Sequence, residues 1–288
     1  MKDYVIYTDS ACDISPKLLS EWGVGVLPLT FRFADDDKEY TSYEMQSKEF
    51  YDRMRSGGVA KTAAINSETF CVEFEKLLAQ KKDVLYLSFS SGLSTTFNSS
   101  RIAAEQLSEK YKENKVYIFD TLAASAGQGL LVKLVVDKKN DGASVEEALE
   151  YAKSIALNVS HWFTVDDLVY LKRGGRISSA AAFFGTVIGI KPVLHVDNDG
   201  HLINMQKVRG RKSAIAALAD KYGETALDKE GGVVFISHAD CESEARSLAD
   251  MLASRYGASV TLLTDISPVI GAHSGPGTIA LFFLGAER

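Results

Sequence analysis

Residues 84–119 read VLYLSFSSGLSTTFNSSRIAAEQLSEKYKENKVYIF, a stretch that writes out a strand, a helix and a second strand. The run VLYLSF at 84–89 is almost unbroken apolar sequence, the texture of a strand buried on both faces of a parallel sheet. It stops at SSGLS (90–94), and a helical stretch follows to about Leu107. VYIF at 116–119 is a second buried strand. Strand, helix, strand with short connections predicts a right-handed crossover and parallel pairing. The same alternation extends both ways. Upstream, residues 4–8 read as a strand, and Ser15 before Pro16 supplies an N-cap and a first helical position. Residues 24–33 read as one strand, Thr41 with Glu44 fits a capping box for the next helix, and residues 61–66 form a connector to a helix capped by Asn66. Downstream, residues 124–137 and 144–156 are helical, the second with Glu146 and Glu147 in its first turn, where the helix dipole favours them.

Near His161 the texture changes. Residues 161–164 read as a strand, 165–171 as a short helix, 172–177 as a basic turn with glycines, and 178–189 as a small-residue apolar helix. Residues 191–196 and 201–208 form the arms of a hairpin with Asp199-Gly200 at its tip. A helix at 213–222, a strand at 233–237, a helix at 241–256 and a strand at 259–263 complete a second α/β unit. The expectation is an α/β fold of two α/β domains: an N-terminal parallel-sheet domain over 1–160 and a C-terminal mixed-sheet domain over 161–288.

Charge and composition narrow the function. The 288 residues carry 32 Lys and Arg against 38 Asp and Glu, a net charge of -6, so no global basic field invites nucleic acid. Apolar residues at 46% and charged residues at 24% are globular values. The N-terminus MKDYVIYTDS lacks a signal-peptide pattern. The uncharged stretch 266–286 is cut by Pro268, Pro276 and several glycines, and reads poorly as a membrane helix. Three widely spaced cysteines with no CxxC pair suit a reducing cytoplasm. No P-loop is present, Gly127-Gln128-Gly129 does not continue as a dinucleotide fingerprint, and HExxH is missing. Histidines 161, 195, 201, 238 and 273 show no metal spacing, and His238 beside Cys241 reads as structural. Neither a metal nor a cofactor is expected.

What remains is a set of hydroxyl-rich and glycine-rich ends. Ser90, Ser91 and Ser94 follow a buried strand and open a helix, where ligands of parallel sheets bind. Free amides and hydroxyls there suit a carboxylate or phosphate, although Ser94 as a plain helix cap needs no ligand. Thr62 lies on a loop before another helix start. Lys172, Arg173 and Arg176 bracket Gly174-Gly175, and Lys207, Arg209, Arg211 and Lys212 form a second basic cluster. Either is solvated surface charge or a site for an anion or acidic partner. GAHSGPG at 271–277 is a glycine-rich turn carrying His273.

Together and in this order, TDSACDIS (8–15), VLPLTF (26–31), SFSSGLSTTFNSS (88–100), FDTLAASAGQGLLV (119–132), LKRGGRIS (171–178), IKPVLHVDNDG (190–200) and GAHSGPGTIALFF (271–283) resemble the DegV family of bacterial fatty-acid-binding proteins over nearly the whole chain. The resemblance implies a long apolar tunnel between or beside the two domains, holding one long-chain fatty acid. It implies a lipid-carrying subunit with no catalysis of its own, serving phospholipid metabolism. A separate fatty acid kinase catalytic subunit would supply ATP and phosphorylate the bound carboxylate. The family's carboxylate-binding hydroxyls fall on Thr62 and Ser94, with Ser91 beside them and His273 next to the head group. Arg176 and Arg209 match positions that engage the kinase or the phosphate. The family usually carries a Thr-Ser-Gln-Pro-Ser-like run where this chain has Thr62-Ala63-Ala64-Ile65-Asn66, which changes the head-group surroundings. The apolar helix around 180–190, with Phe183 and Phe184, is a tunnel wall or ordinary core. The rival reading is a serine hydrolase using Ser94 and His273, which lacks both the nucleophile-elbow motif and an evident acidic orienter. Stable membrane insertion and nucleic-acid binding are not expected.

Overall fold

A computed structural model describes residues 3–177 and 189–288. The first half runs β1 (Tyr4–Asp9), α1 (Pro16–Glu21), β2 (Val24–Leu27), β3 (Thr30–Phe33), β4 (Tyr40–Thr41), α2 (Ser47–Arg55), β5 (Ala60–Ala63), α3 (Ser67–Ala79), β6 (Asp83–Ser88), α4 (Thr96–Lys110), β7 (Val116–Asp120), α5 (Ser125–Asn140) and α6 (Val145–Ile155). The second runs β8 (Val159–Thr164), α7 (Val169–Arg173), β9 (Ile190–Val196), β10 (Leu202–Arg209), α8 (Arg211–Thr225), β11 (Val234–His238), α9 (Glu242–Tyr256), β12 (Val260–Asp265), α10 (Pro268–Ser274) and β13 (Ile279–Leu284).

The opening stretch folds as its pattern predicts. β6 is buried along its whole length and pairs in parallel with β1 and β7, giving a four-stranded parallel sheet ordered β2-β1-β6-β7. Helix starts follow the capping chemistry. The Ser15 hydroxyl accepts from Leu18 N with Pro16 in the first turn, Asn66 accepts from Thr69 N, and Ser144 with Glu147 forms a full capping box.

The chain around 24–66 departs from the sequence reading. The single strand expected at 24–33 is two, because Pro28 has no amide to donate to a ladder. β2 stays in the parallel sheet, while β3 starts a separate antiparallel sheet ordered β4-β3-β5. The expected connector at 61–66 is largely strand, since β5 pairs with β3 in the register Phe31↔Thr62. Glu44 does reach back to Thr41 N, but only within a turn, and α2 begins at Ser47.

The second half forms a six-stranded mixed sheet ordered β10-β9-β8-β13-β11-β12, in which β11–β12 is the parallel pair. β9 and β10 make the expected hairpin, with a bulge between Asn204 and Gln206. The helix expected at 165–171 sits later, as α7. The helix expected at 178–189, with Phe183 and Phe184, lies outside the described residues. His273 is not in a loop: it occupies the last turn of α10, and the glycine-rich turn starts at Gly275.

The two sheets share their packing. α5 lies against β6 on one side and against β8, β11 and β13 on the other. One hydrophobic cluster accordingly includes Ile6, Leu85, Leu130, Phe163, Leu194 and Phe282. The TDSACDIS segment runs through this seam. Asp9 accepts from Tyr86 Oη at 2.6 Å, from Phe89 N at 2.9 Å and from Ala11 N at 3.1 Å. Asp13 accepts from Ser267 N at 2.9 Å and from the Ser125 hydroxyl, and its carbonyl takes the Thr264 hydroxyl at 3.0 Å. Both carboxyls are buried, and burial raises their pKa, that of Asp13 to about 7. This motif is therefore interior stitching between the two halves.

Candidate ligand-binding site

A cavity of about 280 Å³ lies where the two halves meet, many times the ~10–15 Å³ one water needs. Its walls are largely apolar, with Leu29, Phe89, Leu93, Phe163, Val196 and Leu202 among them. The polar groups gather mainly at one end, and each is placed by a different element.

Thr62 is carried by β5 and His273 by the last turn of α10, which packs against that strand. Their side chains meet, with Thr62 Oγ1 and His273 Nε2 2.8 Å apart. The imidazole is held neutral, its pKa pushed down to about 4, chiefly by burial and further by the Arg176 charge. Gly174 explains how this histidine fits. A Cβ at that position would lie 2.2 Å from His273 Nδ1, so the first glycine of LKRGGRIS lets α7's C-terminus close over the ring.

Arg176 follows. Its Nε donates to the carbonyl of Leu93 at 3.2 Å and its guanidinium also bonds the Gly174 carbonyl, tying the LKRGGR turn to the SSGLS loop. Burial lowers the Arg176 pKa, leaving its charge in a partly desolvated place at the rim. Ser94 comes next on that loop. Its hydroxyl accepts from Thr96 N at 3.2 Å and lies 2.8 Å from Thr96 Oγ1, while its side chain faces the cavity. Ser94 thus serves as a helix-start partner and a cavity-lining hydroxyl at once.

Thr62, Ser94, His273 and Arg176 therefore bound one cavity, although 211 residues separate Thr62 from His273 in sequence. Ser91 does not join them. It is exposed and outside the lining, with its amide donating to Asp120 Oδ1 at 3.2 Å, because the turn points its side chain to solvent. Arg209 is also outside the lining, exposed at the end of β10. Five polar residues not singled out by sequence also bound the cavity: Thr95, Ser125, His161, Ser274 and Thr278. The Ser274 hydroxyl and His273 Nδ1 are buried and lack a hydrogen-bond partner among the described residues. Ser125, Ser274 and Thr278 lie inside the quoted motifs 119–132 and 271–283, which was the available signal for them. The replaced segment contributes as well: Ala63 and Ala64 line the wall, Ile65 is buried and Asn66 caps α3.

A Ser94–His273 nucleophile pair is not assembled. Ser94 is bonded to Thr96, His273 Nε2 to Thr62, and no carboxylate orients Nδ1.

The family model described as "Uncharacterised protein, DegV family" matches residues 3–286. The chain belongs to the DegV family. Among curated relatives, the DegV domain-containing protein CPE0026 of Clostridium perfringens is 41% identical over 291 residues, covering 100% of this chain and 99% of that one. Among solved structures, a DegV lipid binding protein from Thermotoga maritima aligns with a TM-score of 0.86 at 30% identity, covering 100% of both chains. A Thermus thermophilus DegV family protein, described by its fatty acid binding, aligns at 0.88 with 28% identity over 98% of this chain and 99% of its own. This chain keeps the DegV arrangement of an N-terminal parallel sheet and a C-terminal mixed sheet. No helix among the described residues is long and apolar enough to cross a membrane.

Proposed function

We propose that this DegV protein holds one long-chain fatty acid, its acyl chain in the cavity and its carboxylate at the rim formed by Thr62, Ser94 and His273. The observation that carries the reading is the polarity of the cavity: apolar walls leading to hydroxyl and imidazole groups, with Arg176 alongside. A buried carboxylate without partners would cost several kcal/mol. Hydroxyl donors, with the partly desolvated Arg176 guanidinium alongside, offset that. An acyl chain of about 16 carbons at roughly 0.8 kcal/mol per methylene contributes about 12 kcal/mol gross, before the costs of association. The tail thus supplies most of the affinity and the rim sets orientation. The fatty acid binding of the Thermus thermophilus relative supports the same reading.

The protein then acts as a carrier. It presents the carboxylate to a separate fatty acid kinase catalytic subunit in the cytoplasm, with Arg176 and Arg209 on the partner- or phosphate-facing side. Nothing in the geometry favours the hydrolase reading over this one.

The test is denaturing extraction of the purified protein followed by mass spectrometry, together with thermal shift on adding palmitate or oleate. A copurified fatty acid and an upward shift are expected. An empty extract with no shift for either acid sinks the proposal.

A further inference from the structure

Thr278, just before β13, and Ala280 and Phe282 within it line the cavity as alternate residues on one side of the chain. Thr278 marks the rim end, because its hydroxyl donates to the carbonyls of Ser274 and Gly275 in the turn just after His273. Phe282 is four residues further along, roughly 13 Å at the ~3.3 Å rise of a strand. Opposite it on β8 stands His161. The rim residues Thr62, Ser94 and His273 are partly exposed, whereas His161 is 1% and Phe282 2% exposed. Among the described residues, the lining therefore runs from a partly exposed hydroxyl end to this buried pair.

The imidazole at this end is held by three neighbours. Its Nδ1 lies 2.7 Å from the Val159 carbonyl, and its ring meets Phe282 edge-on with centroids 5.3 Å apart. Behind it is Gly127 in α5, where a Cβ would come within 2.2 Å of Nε2 and 2.7 Å of the Phe282 ring. Gly127 lies in the first turn of α5, and its missing side chain makes the recess in which the histidine sits.

We propose that His161, seated against Gly127, is the inner stop of the cavity and sets the longest acyl chain this protein accepts. The inference deepens the fatty-acid reading and rests on it. A shorter side chain at 161 opens the recess to further methylenes. A methyl group at 127 drives the ring and Phe282 into the cavity and shortens it.

The experiment measures dissociation constants of the delipidated protein for myristate, palmitate, stearate and arachidate. His161→Ala should move the best-bound acid to a longer chain and improve arachidate relative to palmitate by about tenfold, the worth of two further buried methylenes. Gly127→Ala should move the preference to shorter chains. His161→Leu keeps the bulk and should keep the wild-type order, which separates a steric stop from a hydrogen-bonding role. An unchanged order in both His161→Ala and Gly127→Ala overturns the stop, as does a His161→Leu shift equal to that of alanine. If the wild-type protein binds none of the four acids and oleate gives no thermal shift either, the fatty-acid reading itself fails.

Discussion

Thr62 and Ser94 show how much one hydroxyl can be asked to do. Thr62 Oγ1 meets a histidine from the far end of the chain, and Ser94 Oγ serves the start of α4 while facing the cavity. Each hydrogen bond to a charged acceptor is worth about 1.5–3 kcal/mol. The pair Thr62→Ala with Ser94→Ala should thus weaken fatty-acid binding by roughly 100-fold or more. Titration calorimetry checks this, and unchanged affinity removes both from the head-group site. The arginines separate by position. Arg176 is bonded into the rim through Leu93, whereas Arg209 stands clear of the cavity. Arg209→Ala should leave lipid affinity intact and slow acyl-phosphate formation when a cognate kinase is supplied. Full turnover would mark Arg209 as plain surface charge. Resemblance grouped Thr62, Ser94 and His273 around one head group, but the direct bond between Thr62 and His273, on a strand and a helix 211 residues apart, was not legible in the letters. Ser91 shows the opposite limit: within a serine-rich turn, only backbone geometry decides which hydroxyl turns inward.

Secondary structure was legible where periodicity or capping chemistry is strong. β6 and its following helix needed only an apolar run and a serine-rich break. α6 was fixed at its start by Ser144 and Glu147, which bond each other's amides at 3.2 Å and 2.8 Å. Ser144→Ala should lower stability by about 1 kcal/mol, read from the urea midpoint, with fatty-acid affinity untouched. A loss below about 0.3 kcal/mol would show that packing, not the cap, holds this helix end. β5 was missed because its four residues, AKTA, alternate weakly and gain their strand character from pairing with β3. The break at Pro28 was visible in the letters, yet the flanking β-branched and aromatic residues outweighed it. α10 hid behind its glycines, Gly271 being inside the helix rather than after it.

At the scale of the molecule, the buried Asp13 gives stability a pH dependence. Its carboxyl titrates at about 7 rather than 3.8, so the fold favours the neutral acid. That contribution is full below about pH 4 and fades as pH rises through 7. His273 acts in the other direction: with its pKa near 4, its contribution is present above about 6.5 and lost as pH falls from there. Asp13→Asn can keep the bond from Ser267 N and donate to Ser125. It should stabilise the protein relative to wild type more at about pH 8 than at about pH 5. Urea midpoints at the two pH values measure this, and equal differences would mean that Asp13 stays charged throughout. The change in texture near residue 160 was legible in the sequence, but α5 reaching across it was not, since helical periodicity names an apolar face and never its partner. With one helix serving both sheets, the molecule cannot gape like a shell. Parting the halves would strip α5 of its neighbours and bare the interior, so a ligand of the proposed kind would enter by a small local yielding at the rim while the two halves stay clasped.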